Sequence, residues 1–157
     1  MAKAWEVEGL SPKKSLETCA RRIITTRFRE MMSYREGVVE GSDIEFVHDM
    51  RVSSRRLRAA MENFSACFSD ERKAFRGYLR QVKALTHVLG VVRDLDVLIH
   101  RFEKDVKTLP QAERVGIEKL IARLRGQRQD ARKPMLVMFA LLDADDFAKQ
   151  FLKFFEV

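Results

Sequence analysis

VHDMRVSSRRLRAAMENF, residues 47–64, puts Val47, Met50, Leu57, Met61 and Phe64 on one side of a cylinder when successive residues turn by about 100°. His48, Arg51, Arg55 and Arg58 fall on the adjoining side, a basic column with only Glu62 in line to relieve its repulsion. A charge column is most often a solvated helix face. This one borders the apolar stripe, so its side chains are expected to edge a groove between helices, and a binding role is favoured over the bland one.

Working outward, the punctuation is helical and no strand alternation competes with it. Ser11-Pro12 reads as a cap followed by proline at the first helical position, opening a helix from 12 to about 35 that Glu36-Gly37 ends. Ser42-Asp43-Ile44-Glu45 reads as a capping box for the second helix, which runs to about Cys67. Ser69-Asp70 caps a third that continues unbroken to about Val106. Thr108-Leu109-Pro110-Gln111 starts a fourth, running to about Leu142 with a kink at Pro134. Asp143 caps a short last helix carrying Phe147, Phe151, Leu152, Phe154 and Phe155. Long helices joined by short turns pack antiparallel. The expected fold is all-α: a single domain, an antiparallel bundle of about four long helices over 12–142, with a short C-terminal helix over 143–157 and residues 1–10 as an N-terminal arm.

The basic columns recur. On the third helix, Phe75, Leu79, Val82, Leu89 and either Leu85 or Asp96 bracket the inward side, with Arg76, Arg80, Lys83 and His87 beside them. On the fourth, Arg114, Arg125, Arg128 and Arg132 lie next to Ile117, Leu120, Leu124 and Ala131. Three such columns converging would make a basic channel. The whole chain of 157 residues carries a formal charge of +7 and a pI near 9.7, from 19 Arg and 11 Lys, which suits a polyanionic partner. Arginine's planar fork takes two phosphate oxygens at once, and that tilts the choice towards phosphate.

Other chemistries lack their parts. No apolar run is long enough for a membrane span, and MAKAWEVEGL has no signal-peptide core, so the chain reads as cytosolic. Cys19 and Cys67 are read as reduced, buried thiols. His48, His87 and His100 stand in no metal-ligand spacing, and neither a Gly-rich phosphate loop nor a paired general acid and base is present. No cofactor, metal or catalytic activity is expected. Arg93 and Asp96 are one helical turn apart and read as a local pair, while Asp94 or Asp96 is an alternative partner for Arg51, Arg55 or Arg56. Phe28, Phe64, Phe75 and Phe102 read as core rather than as base-stacking platforms.

FVHDMRVSSRRLRAAMENF at 46–64, followed by LRQVKALTHVLGVVRDLDVLI at 79–99, resembles the CHAD domain, the conserved-histidine α-helical domain. The resemblance rests on His48, Arg51-Val52, the Arg55-Arg56-Leu57-Arg58 run, Lys83, and Leu89-Gly90 through Arg93-Asp94. It implies a helical protein that binds inorganic polyphosphate in a basic central channel, without catalysis, and His48, Arg51, Arg55, Arg58, Lys83 and Arg93 as basic residues carried over by motif. Arg80, His87, Arg125, Arg128 and Arg132 are added from helical geometry. Such a protein would sit in the cytoplasm, associated with polyphosphate granules. Members of the family usually have a second bundle like the first, and this chain reads as having one; a homodimer supplying both halves is therefore expected. The competing expectation is a nucleic-acid-binding helical protein that uses the same basic faces. An enzyme using His48 as phosphate acceptor lacks the second group that would activate it.

Overall fold

The computed structural model describes residues 3–157 as six α-helices and one 3₁₀ turn, with no strand among the described residues. The helices are α1 (Leu16–Met32), α2 (Arg35–Glu40), α3 (Glu45–Asn63), α4 (Arg72–Val106), α5 (Gln111–Ala144) and α6 (Phe147–Phe155), with the 3₁₀ turn at Ser65–Phe68. The all-α bundle expected from the periodicity is present. So is the unbroken third helix, which becomes α4 with 35 residues.

Several boundaries differ, each for a local reason. Ser15, not Ser11, caps α1: its Oγ accepts from the Thr18 N–H at 3.1 Å, while Ser11 folds the preceding turn by accepting from the Lys13 N–H at 3.2 Å. Gly37 does not end the first helix. It lies buried inside α2 with the Phe46 ring where a side chain would be, and the chain instead turns at Gly41, whose φ of 76° is left-handed. The capping box does not form; Asp43 Oδ1 accepts from the Glu45 N–H at 2.9 Å and Ile44 is the N-cap residue. No side-chain cap hydrogen bond comes from Ser69, Asp70 or Asp143 at α4 or α6, whose N-cap residues are Glu71 and Asp146. The helix of α5 continues through Pro134. The described part of the arm is non-helical and lies along α1, tied by the Trp5 N–H to Glu30 Oε2 (3.3 Å) and by Arg27 Nη1 to the Trp5 carbonyl (2.9 Å); Met1 and Ala2 fall outside the described residues.

The main core runs through α1, α3, the first part of α4, the end of α5 and all of α6, with Ile24, Phe28, Met50, Leu57, Leu85, Leu89, Met135 and Phe151 among its sealed side chains. Each such burial is worth roughly 1.5–3 kcal/mol. The aromatic side chains of α6 are packed over their own bundle. Phe151 stacks on Phe28 at 4.1 Å and Phe155 meets Phe68 edge-on at 5.3 Å, so this segment needs no partner chain to cover it. Phe28 and Phe75 are buried, as read from the sequence; Phe64 and Phe102 are only half-buried.

At about 1.5 Å per residue, α4 is close to twice the length of α3. The α4–α5 hairpin therefore projects beyond the main core, held by a small cluster of its own: Ile99, Ile121 and Leu124, with Leu95, Phe102 and Leu120 around them.

A candidate anion-binding groove between two helices

Three contacts mark the antiparallel register of α3 against α4. Glu62 of α3 meets Lys83 of α4 at 2.9 Å, Arg51 lies over Gly90, and Glu45 reaches Arg93 at 3.4 Å. That register puts Arg55 level with His87, and His48 level with Arg93 and Asp94. Residues 48, 51, 55, 58 and 62 form one stripe of α3, and 80, 83, 87, 90 and 94 form the matching stripe of α4. The two columns read from the sequence are thus brought together as the two banks of one open groove.

Gly90 makes the approach of Arg51 fit. A Cβ there would come within 3.3 Å of Arg51 Nε, so the absence of a side chain lets the arginine stem cross the α4 backbone. The crossing leaves Arg51 Nε buried without an acceptor, and Arg51 has no acid partner among the described residues. Arg55 and His87 are exposed and His48 is half-buried. Acids stand towards the ends of the stripes, where Asp94 is exposed level with His48. Glu62 takes Lys83 at 2.9 Å and Arg58 at 3.1 Å, and Glu45 takes Arg93. The Lys83 and Arg58 hydrogen bonds hold the Glu62 carboxyl below the usual carboxylate range, against a smaller opposing effect of burial. Arg80 stands exposed beyond Lys83.

The column on α5 does not join this groove. Arg125 pairs with Glu103, and Arg128 Nε with Asp96, inside the α4–α5 hairpin. Arg132 is buried and donates to the carbonyls of Val38 (3.3 Å) and Val39 (3.2 Å), satisfying the C-terminal end of α2. Burial, with Arg128 close by, pulls the Arg132 guanidinium below its ordinary pKa. Arg114 donates to the Leu109 carbonyl at 2.9 Å and holds the hairpin turn. The local Arg93–Asp96 pair is not formed, since Asp96 turns to α5 and Arg93 to α3. Nor does either aspartate serve Arg56.

Arg56 faces the other way from Arg55, to a carboxylate the sequence reading overlooked. Glu30 is completely buried and accepts from Arg56 Nη1 at 2.7 Å, from Arg27 Nη1 at 2.6 Å and from the Trp5 N–H. Nothing in the local pattern marks Glu30 apart from the other acids of a charged helix. A hollow of about 720 Å³ touches one end of the groove at Arg80, between Tyr78, Asp145 and Phe147; two others lie away from it. One of about 460 Å³ sits under the arm, between Trp5, Glu8, Arg22 and Arg29, and one of about 500 Å³ lies beside Asp96, His100, Glu103 and Arg125. Both mix acids with bases. No group of three or more potential ligands for a metal ion is present among the described residues, and no helix there is long and apolar enough to cross a membrane.

Two uncharacterized proteins of Mycobacterium tuberculosis, MT2285 from strain CDC 1551 and Rv2226 from strain H37Rv, are each 26% identical over 133 residues. That alignment covers 80% of this chain and 25% of each relative, so the chain spans about a quarter of their length. No solved structure matches. A family model described as the CHAD domain matches residues 22–155, which takes in both banks of the groove and the helices that support them. The chain therefore belongs to the CHAD domain family.

Proposed function

We propose that this chain binds inorganic polyphosphate, without turning it over, along the open groove between α3 and α4. The family binds polyphosphate in general and is generally a non-catalytic binding module. The observation that carries the reading for this chain is the row of basic side chains along the groove. His48, Arg51 and Arg55 on one bank face His87 on the other, and no hydrogen bond or ion pair ties them to an acid among the described residues. An isolated basic row of this kind repels itself in the free protein and is relieved by an extended polyanion. Arg58 and Lys83 extend the site at one end, with Arg80 beyond them, and Arg93 extends it at the other. Arg125, Arg128 and Arg132 serve the scaffold in this reading, holding the hairpin and the end of α2.

The test is competition: long-chain polyphosphate against RNA and duplex DNA at equal phosphate concentration, over a series of salt concentrations. Polyphosphate is expected to bind most tightly, with affinity falling steeply as salt rises. Equal affinity for the three polymers would reduce the groove to generic electrostatics. The reading extends to a homodimer that brings two grooves together. It is supported by apolar side chains that α4 and α5 leave exposed, Val91, Leu98, Val137 and Leu141. Light scattering over a concentration series, with and without polyphosphate, decides that point; a strict monomer binding one long chain tightly rules the dimer out.

A further inference from the structure

Glu62 is the one acidic side chain on the stripe of α3 that runs from His48 past Arg58. Its position is unusual in one respect. Lys83 Nζ and Arg58 Nε converge on the same carboxylate oxygen, Oε1, at 2.9 and 3.1 Å, one cation arriving from each helix. One anionic oxygen held between two cations on opposite banks is the arrangement a polyanion lying in the groove would make with its own oxygens. We propose that Glu62 is a built-in competitor: its carboxylate occupies a phosphate position between Arg58 and Lys83, and the ligand must displace it to use the full length of the site. This rests on the polyphosphate reading above and adds a residue that sets the affinity.

The physical setting suits displacement. The side chain of Glu62 keeps 39% of its exposure, and those of Lys83 and Arg58 keep 44% each, so the ties are surface ion pairs that contribute little to folding and are screened by salt. Glutamate has three rotatable bonds and water at hand, so it can swing out while the helices stay in place. Two consequences follow. In the free protein the competitor neutralises one end of the row, so weakly charged or short anions gain little from Arg58 and Lys83. A long chain anchored at Arg51 and Arg55 brings a high local concentration of phosphate to Glu62 and outcompetes it. The device therefore favours long polymers over short ones.

The experiment measures binding of long-chain polyphosphate to the full chain by calorimetry at several salt concentrations, for the native protein, Glu62→Gln, Glu62→Ala and Glu118→Gln. The last makes the same change in net charge at an exposed position of α5, away from the groove. Removing a unit charge about 4 Å from the ligand in water corresponds to an affinity gain of about fivefold, so both Glu62 variants should bind about fivefold more tightly at low salt. The slope of log affinity against log salt should steepen by about one, because two cations now meet phosphate without an internal counter-charge. Glu118→Gln should stay within about twofold of the native protein, since a distant charge is screened. Equal or weaker binding by the Glu62 variants, or an equal gain in Glu118→Gln, overturns the competitor role while polyphosphate binding stands. Failure of native protein and variants alike to bind polyphosphate overturns both.

Discussion

Arg56→Ala should destabilise the protein substantially and Arg55→Ala hardly at all, although the two residues adjoin. Arg56 holds the fully buried Glu30 carboxylate at 2.7 Å, and its own side chain is 27% exposed. Removing one partner of a buried ion pair typically costs about 3–5 kcal/mol, because the charge left behind has lost its compensation. Arg27 and the Trp5 N–H remain on Glu30. The loss should therefore fall lower, at about 2–3 kcal/mol. For a chain of this size roughly 2–4 °C accompanies each kcal/mol, so the melting temperature should drop by about 5–10 °C. Arg55 is exposed and has no such partner, so its replacement should stay within about 0.5 kcal/mol of native stability, with relief of repulsion along the column acting in its favour. Binding should show the reverse order. Arg55→Ala should reduce the salt slope for polyphosphate by about 0.7–0.9, the contribution of one phosphate contact, whereas folded Arg56→Ala should keep the native slope. Thermal melts by circular dichroism and binding titrations over a salt series measure both quantities. Equal melting losses in the two variants, or a native melting temperature for Arg56→Ala, would refute the division of these arginines into a ligand face and a scaffold face.

Three further outcomes are expected. Asp96→Ala strands the largely buried Arg128 side chain and should lower stability by about 3–5 kcal/mol in urea denaturation, with the projecting hairpin losing hydrogen-exchange protection first. Gly90→Ala gains up to about 1 kcal/mol of helix propensity but sets a Cβ 3.3 Å from Arg51 Nε; it should keep the native melting temperature within a few degrees while weakening polyphosphate binding, as seen by paired melts and titrations. Glu62 has its pKa depressed in the folded state, so its ties stabilise the protein above the unfolded carboxyl value and are lost as pH falls through the lower folded value. The small difference in melting temperature between the native chain and Glu62→Gln should thus be full at pH 7, shrink as pH falls past the unfolded carboxyl value, and vanish below the lower folded one.

The helices and their inward faces were legible in the chain because periodicity is a local property. Val47, Met50, Leu57 and Met61 can be placed on one side of α3 by counting residues, and all four are buried. The same counting placed His48, Arg51, Arg55 and Arg58 in one column and Lys83 and His87 in another. Helix ends were read less well, because several residues within one turn can serve as caps: Ser11 and Ser15 offer the same hydroxyl, and packing of the arm on α1 selects the second. What each arginine does was decided only by the tertiary structure. Arg55 and Arg56, or Arg80 and Arg128, are alike along the chain, since the charge of a side chain says nothing about what stands opposite it. Opposite Arg56 is Glu30, opposite Arg128 is Asp96, and opposite Arg132 are the last carbonyls of α2. Those partners lie 26, 32 and 94 residues away in sequence, and only the packing of whole helices brings them within reach. A buried guanidinium must find an acceptor or lose several kcal/mol of solvation, roughly the scale of a broken buried pair, so packing commits Arg56, Arg128 and Arg132 to partners inside the molecule and leaves Arg55 exposed.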